Sequence, residues 1–569
     1  MDTETLHEQE IETPPSRSNI EKRLKAASQG AAAIVVASGI PLVAGLLGSL
    51  AAIVVMGALR LTVGAPSLPE LLAERILLTL NANDFVGLLV RFQPNSKTTP
   101  LALTLLGQFL IGILIGPLLY YAAGRPDGRR GFWPGRRAWI TALGFVAVME
   151  VVAIGLFWPV LDAGLVGDPP ARARLITSLC MLATFIGFVG VTLLANHWLH
   201  RAWLPAAPAP KSRPASGGTS DPTPAGETPA LQVKRRAVLG SAGVVVLAVA
   251  AGGIGIDRLI SGYLTRSNLS YEGMKTRGLA PITPAEDFYV VSKNVLDPQV
   301  YVSRWQLEVG GLVGQSKTCT YEQVRDLPSE TRAVTLECIA NGPGGHLMGN
   351  AMWTGTLVKT VLDEAGGVQA GGKYVTFTSV DGYQYNQTLE NLMEARALLA
   401  WDMNGEPLPE RHGYPLRLIM PGRYGEQSCK WLTRIEVVDQ PYNGGLYQSQ
   451  GWSSKQLETT SRIDVPGFGA KLPLGPVQLA GIGFAGIRGI ERVEVSTDDS
   501  LTWHTATLTP PLSDQSWVFW NWTWTPAARG TYALTVRATD GTGAVQTETP
   551  RSTVPSGATG WQHLKVQIV

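Results

Sequence analysis

Cysteine and charge are scarce in this chain of 569 residues. Its cysteines, Cys180, Cys319, Cys338 and Cys429, form no CxxC pair, CxxCH haem motif or zinc-ligand spacing, which excludes a disulfide scaffold and leaves any functional cysteine to act alone. Charged residues make up 16% of the chain and the net charge is +2, which argues against a nucleic-acid-binding protein. No internal repeat occurs at a period of about 20 to 50 residues, which excludes solenoids and propellers.

Long apolar runs, in contrast, are abundant. Four runs exceed the roughly 20 residues that cross a bilayer core. They span residues 31–59, 101–123, 139–161 and 175–198. We therefore interpret residues 31–200 as an all-α transmembrane domain of four helices that follows a cytoplasmic tail, residues 1–30. Between the first two runs, residues 69–92 are apolar at helical spacing but carry charged side chains, which favours an interfacial helix.

A polar segment and a fifth apolar run connect this domain to the rest of the chain. Residues 201–235 are rich in Pro, Ser and Gly, a composition typical of a flexible linker. Residues 236–258 are predicted to form a fifth transmembrane helix, which begins at the end of the basic run Lys234-Arg235-Arg236. This basic run resembles a twin-arginine export signal, although two arginines at that place also satisfy the preference of basic residues for the cytoplasmic side.

The distribution of Lys and Arg predicts the orientation in the membrane. Basic residues cluster in the N-terminal tail, in the loop between the second and third runs and at the end of the linker. These clusters fall on one side if five helices alternate, and basic clusters mark the cytoplasmic side. We therefore expect a multi-pass protein of the bacterial inner (cytoplasmic) membrane. The lipid bilayer is its first partner, and everything after residue 257 lies on the extracytoplasmic side.

Beyond residue 287 the long apolar runs give way to short, β-rich segments. A strand-like segment ends in V-T-L-E-C-I-A-N, residues 334–341, and is followed by M-W-T-G-T-L, residues 352–357. A second pattern runs L-L-A-W-D-M-N-G-E-P-L-P from residue 398, H-G-Y-P-L-R from residue 412 and C-K-W-L from residue 429. These motifs resemble the sulfite oxidase family of molybdopterin oxidoreductases. The resemblance implies an α+β molybdopterin-binding catalytic domain, which we place at residues 270–445.

The resemblance also implies a role for one cysteine. In that family the cysteine of the first motif is the protein thiolate that binds molybdenum, and Cys338 occupies this place. A soft thiolate suits a metal that is already chelated by the pterin dithiolene and keeps positions open for oxygen transfer. Cys338 is thus the expected metal ligand and catalytic residue, whereas a lone cysteine outside such a pattern is more often a small buried side chain.

Further residues are implied to bind the pterin and its phosphate. A buried phosphate favours an Arg fork, a Lys charge and backbone N–H groups. The expected cofactor-binding residues are Tyr289, Val290, Lys293, Asp381, His412, Arg417, Ser428, Cys429 and Lys430. For Arg417 and Lys430 the alternative is a surface ion pair with Asp402 or Glu426.

The last part of the chain has a different pattern. Residues 460–569 contain short alternating strands separated by turn residues, which is typical of an immunoglobulin-like β-sandwich. The segments I-E-R-V-E-V-S from residue 490 and T-V-R-A-T-D from residue 535 resemble the second domain of the same family. That resemblance implies a dimerisation-type domain and a homodimer.

The substrate side departs from the family pattern. Sulfite oxidases carry an arginine and a histidine after the first segment, where this chain has Ser292, Lys293 and Asn294. Their active-site tyrosine has no aligned counterpart, although Tyr442 and Tyr447 lie nearby in sequence. We expect a membrane-anchored, extracytoplasmic enzyme of two-electron oxo transfer, with three alternatives open. They are a sulfite dehydrogenase, a sulfoxide-type reductase of the same family and a catalytically inactive, membrane-tethered binding module.

The cofactor prediction is molybdenum-molybdopterin alone. No haem-binding or iron-sulfur motif accompanies the domain, so we expect electrons to pass through a separate cytochrome or the quinone pool. His197 and His200 are the histidines nearest a predicted span. Both lie at the end of one helix, whereas a bis-His haem needs ligands on facing helices. We therefore predict no haem and no nucleic-acid partner.

Overall fold

A computed structural model describes most of the chain. The described residues are 17–77, 79, 84, 98–123, 133–161, 170–203, 280–294, 297–442, 445–452 and 456–569. The predicted fifth apolar helix, the twin-arginine-like run and nearly all of the linker lie outside these residues.

Five helices precede the β-rich part of the described chain. They are α1 (Arg17–Val63), α2 (Leu68–Leu77), α3 (Thr98–Ala123), α4 (Arg136–Phe157) and α5 (Pro170–Trp203). All but α2 are long and apolar enough to cross a membrane, by length and composition. Large apolar side chains on them are exposed, as Leu114 and Val151 are at 70% each, which suits helices surrounded by lipid. The four predicted apolar helices are therefore confirmed as helices.

Small residues allow α1, α3 and α5 to approach one another closely. A Cβ atom at Gly48 would overlap the side chain of Thr192, and one at Gly112 would overlap that of Ser49. A Cβ atom at Gly45 would lie 2.5 Å from the carbonyl oxygen of Gly112. Such contacts are typical of helices that pack in a bilayer, where van der Waals contact replaces the hydrophobic effect as the force between helices.

Two sheets form the α+β region that follows. The first contains β1 (Leu307–Gly311), β2 (Lys317–Cys319), β5 (Tyr374–Ser379), β6 (Gln384–Thr388) and β10 (Leu432–Val438). Its order is β2-β1-β10-β5-β6, in which β1 and β10 are parallel and the other neighbours are antiparallel. One face packs on a core that contains Trp305, Phe377 and Ile435.

The second sheet is antiparallel and brings the sequence motifs together. It contains β3 (Glu330–Glu337), β4 (Met348–Leu357), β7 (Leu398–Met403), β8 (Glu406–Pro407) and β9 (Arg417–Ile419). The order is β3-β4-β7-β8, and β9 pairs with β7. Three short helices cross between the strands, α6 (Tyr321–Arg325), α7 (Val358–Glu364) and α8 (Leu389–Glu394). Cys338 thus follows β3 directly, as its motif predicts.

The C-terminal region consists of two further sheets. One contains β11 (Thr460–Val465), β13 (Val477–Phe484), β16 (Thr507–Leu508) and β17 (Val518–Trp524). The other contains β12 (Lys471–Leu472), β14 (Ile490–Ser496), β15 (His504–Thr505), β18 (Gly530–Asp540) and β19 (Gln562–Ile568). Leu479 and Trp520 of the first sheet share one core with Val493 and Val536 of the second. This region is therefore a β-sandwich.

Candidate active site

One cavity in the α+β region is bordered by the ends of β3 and β5 and by the turns that flank β9. The expected metal and pterin residues, which are scattered between positions 289 and 430, all line it. These lining residues are Tyr289, Val290, Lys293, Cys338, Asp381, His412, Arg417, Ser428, Cys429 and Lys430. The fold therefore brings together in one cavity all the residues that the motifs imply as ligands of the metal and the pterin.

Cys338 is held in the tight turn after β3. Its N–H donates to the carbonyl oxygen of Leu347 at 2.9 Å, and its carbonyl oxygen accepts from the N–H of Asn341 at 2.9 Å. The Asn341 side chain fixes the turn further, because it donates to Glu337 at 2.8 Å. Burial raises the pKa of Cys338 to about 12, so the free thiol stays protonated. Coordination to a metal would remove this proton and fix the sulfur as a thiolate.

Arg417 lies at the start of β9 as a buried cation. It donates to the carbonyl oxygen of His412 at 3.2 Å, and its guanidinium carbon lies 5.3 Å from the ring centre of Trp353. Its Nε finds no hydrogen-bond acceptor, and burial lowers its pKa to about 10. Within the described residues no carboxylate pairs with it, so the alternative of an ion pair with Asp402 or Glu426 is wrong for Arg417. A buried charge without a counter-charge is costly, so this position fits an anionic ligand.

Lys430 and His412 lie beside Arg417. Lys430 donates to the carbonyl oxygen of Arg411 at 3.1 Å and lies 4.3 Å from the ring centre of Trp431. Nε2 of His412 is 2.9 Å from the carbonyl oxygen of Ala285, so this nitrogen donates and Nδ1 is the acceptor. Burial, reinforced by the charge of Arg417, lowers the pKa of His412 to about 3 and keeps its ring neutral.

Lys293 and Asp381 form a charged network on another part of the wall. Asp381 accepts from the Asn294 amide at 2.8 Å and from the N–H of Tyr383 at 3.0 Å. Lys293 lies 3.9 Å from Asp381 and donates to Glu74 of α2 at 2.7 Å. Burial alone would lower the pKa of Lys293, but the two carboxylates outweigh it and raise that pKa. Lys293 is therefore a charged but neutralised member of the wall.

Several lining residues were not anticipated from the sequence as site residues, above all Glu426, Tyr447 and Trp452. Tyr447 and Trp452 stack with ring centres 4.2 Å apart, close in sequence to the place where the family carries its tyrosine. The carboxylate oxygens of Glu426 are shielded from solvent, and burial raises its pKa to about 8. A bridge between Glu337 and Tyr424 sets the turn of Glu426 beside Cys338. No local sequence signal encodes that bridge, although the nearby tyrosine and tryptophan were visible.

Comparisons with known proteins agree with these features. Residues 294–446 match the family described as the oxidoreductase molybdopterin binding domain, and residues 453–568 match the Mo-co oxidoreductase dimerisation domain. Sulfite oxidase from Arabidopsis thaliana is 28% identical over 280 residues, which are 40% of this chain and 70% of that protein. Mitochondrial sulfite oxidase from Homo sapiens is 30% identical over 270 residues, which are 40% of this chain and 49% of that protein. The chain thus spans about half the length of the human relative.

A solved structure, the sulfane dehydrogenase SoxCD from Paracoccus pantotrophus, aligns with 51% of this chain and 82% of its own. The sequence identity is 24% and the TM-score is 0.46.

Proposed function

Residues 294–568 belong to the sulfite oxidase-like molybdopterin oxidoreductases, and from this premise we propose that the protein catalyses two-electron oxo transfer on a small substrate in the cavity around Cys338. The family cofactor is molybdenum-molybdopterin. When bound, it supplies a metal that exchanges an oxygen atom and two electrons with the substrate. The observation that carries the proposal is the buried, unpaired Arg417 in the same cavity as Cys338.

The expected cofactor residues would then share the binding of the cofactor. Cys338 would hold the metal, and Arg417 and Lys430 would neutralise the phosphate of the pterin. Ser428 and Cys429 would extend that binding segment, and the neutral ring of His412 would contribute through its Nδ1 acceptor. Asp381 would accept from N–H groups of the pterin ring, and Tyr289, Val290 and Lys293 would complete the wall.

In this proposal the site lies at a membrane. Four helices that are long and apolar enough to cross a bilayer support a multi-pass anchor. The distribution of Lys and Arg supports a bacterial inner membrane protein with its catalytic domain on the extracytoplasmic side. The shared core of the two C-terminal sheets supports an immunoglobulin-like fold, and the match to a dimerisation domain supports a homodimer. The electron partner in this proposal is a separate cytochrome or the quinone pool.

Metal analysis of the purified chain tests the proposal. We expect one molybdenum per chain in the wild type. Cys338→Ser should abolish turnover, because a hydroxyl does not replace the soft thiolate. Cys319→Ser is the matched control, since Cys319 is buried outside the cavity and its loss should leave metal and turnover intact. Full turnover of Cys338→Ser, or a wild-type chain without molybdenum, would refute the proposal.

A further inference from the structure

Four basic side chains line the cavity, and three of them form one group. Arg417 donates to the carbonyl oxygen of His412, and Lys430 donates to that of Arg411, the neighbouring residue. Arg411, Arg417 and Lys430 therefore lie around a single turn. The proposed function assigns two of them, Arg417 and Lys430, to the phosphate end of the pterin.

The fourth cation, Lys293, is already neutralised. Its ammonium group contacts Glu74 at 2.7 Å and lies 3.9 Å from Asp381. The side chains of Lys293 and Glu74 are only 10% and 19% exposed, so water screens their contact weakly. An anionic substrate that approached Lys293 would have to compete with two carboxylates for one positive charge.

The surroundings of Cys338 carry acids and aromatic rings. Glu337 directly precedes Cys338 in the chain, and the bridge between Glu337 and Tyr424 sets the turn of Glu426 against the same segment. Tyr289 and Tyr447 line the same cavity as the thiol. Within the described residues no basic side chain pairs with Glu426. Whether protonated or ionised, Glu426 offers no counter-charge to an oxyanion.

From this distribution we infer that the reacting position beside Cys338 selects uncharged organic oxo donors or acceptors, such as sulfoxides, and discriminates against oxyanions such as sulfite. The inference rests on the proposed function and specifies its substrate class. An oxyanion placed between Cys338 and the aromatic pair of Tyr447 and Trp452 would lose its hydration, and the protein would offer it Lys293 only in competition with Glu74 and Asp381. A neutral molecule loses less hydration and keeps its dispersion contacts with the rings.

The test compares both substrate classes on the molybdenum-loaded chain. A sulfoxide takes two electrons from reduced viologen and two protons, and it leaves as a sulfide and water. Sulfite takes an oxygen atom from water, gives two electrons to ferricyanide and leaves as sulfate with release of two protons. We expect kcat/KM for dimethyl sulfoxide to exceed that for sulfite by about tenfold or more, because only the anion pays an uncompensated desolvation cost.

A binding measurement without turnover provides the second readout. The absorption spectrum of the loaded chain is titrated with sulfate and, separately, with dimethyl sulfone, two molecules that do not react. We expect dimethyl sulfone to change the spectrum at about tenfold lower concentration. Equal or tighter binding of sulfate, or a larger kcat/KM for sulfite, overturns the substrate class while the proposed function stands. A chain without molybdenum overturns the proposed function and this inference with it.

A substitution on α2 tests whether neutralisation of Lys293 is responsible for the weak binding of oxyanions. Glu74→Gln removes one of the two carboxylates that neutralise Lys293, so sulfate should bind about threefold to tenfold more tightly while dimethyl sulfone binding is unchanged. Glu70→Gln is the matched control, because Glu70 lies on the same helix but pairs with Arg60 at 3.5 Å. Unchanged sulfate binding in Glu74→Gln, at full molybdenum content, contradicts the role of Lys293 neutralisation.

Discussion

The two ends of the cavity have opposite electrostatic character. At one end the buried guanidinium of Arg417 pairs with no carboxylate of the described residues, which suits a phosphate. Near Cys338 the wall contains the acid Glu426 and the aromatic rings of Tyr289, Tyr447 and Trp452. The first end agrees with the motifs of the family, whereas the second contains most of the departures from it. In the proposed function the cofactor therefore accounts for one end, and the substrate for the other.

The largest effect is expected at the cationic end. Arg417→Met should release the pterin, because truncating one partner of a buried, hydrogen-bonded charge pair costs about 2 to 5 kcal/mol, or roughly 30-fold or more in affinity. Pterin and molybdenum content after purification measure the loss.

Arg423→Met is the matched control for that substitution. Arg423 is equally buried, but it contacts Asn391 at 3.0 Å and Glu394 at 3.8 Å and does not line the cavity. It should retain its pterin. Equal pterin loss in both variants would mean that loss of any buried arginine releases the pterin. The proposed difference in charge between the two ends of the cavity would then lose its support.

A smaller effect concerns the neutral His412 ring. Its pKa is lowered from 6.5 to about 3 in the folded chain, so the unfolded chain binds more protons between these values. Stability is therefore complete above pH 6.5 and falls with pH below it, by about 2 kcal/mol at pH 5. Thermal unfolding of wild type and His412→Gln between pH 7 and pH 5 measures the difference in slope.

Wild type and His412→Gln must be compared because buried carboxyl groups change the stability with pH in the opposite direction to His412. The pKa of Glu337 is raised to about 7 and that of Glu426 to about 8, mainly by burial, so both cost stability as pH rises. These contributions cancel when the two slopes are subtracted. Identical slopes in wild type and His412→Gln would show that the ring is charged or exposed in the folded chain.

The smallest effect is expected at the aromatic end. Trp452→Leu removes the ring that stacks on Tyr447. Because an aromatic pair contributes about 0.5 to 1.5 kcal/mol, the KM for the substrate should rise about threefold to tenfold. Molybdenum content should not change. Trp503→Leu, which removes an indole packed on Trp561 in the C-terminal sandwich, should change neither quantity. Loss of molybdenum in Trp452→Leu would show that the aromatic end also binds the cofactor, and the two ends would then form one binding site.

Much of the fold was predictable because its signals are local. Apolar runs predicted the long helices. Alternating apolar residues and turn residues predicted the strand before Cys338 and the strands of the C-terminal sandwich. The motif around His412 and Arg417 also sufficed to predict one shared site. In contrast, Glu426 reaches the cavity through a bridge between Glu337 and Tyr424, and no periodicity signals a pairing between such distant segments.

The ion pair between Lys293 and Glu74 shows most clearly what the sequence predicts and what only the tertiary structure decides. By itself the sequence determined the cofactor class and the apolar helices, and it predicted Cys338 as the ligand of the metal, because each depends on residues that are neighbours in the chain. It also showed Lys293 in the segment where sulfite oxidases carry an arginine and a histidine. Only the tertiary structure placed the acid of α2 against that lysine. Effective charge depends on which groups share a low-dielectric space, and this arrangement arises only when the chain is folded.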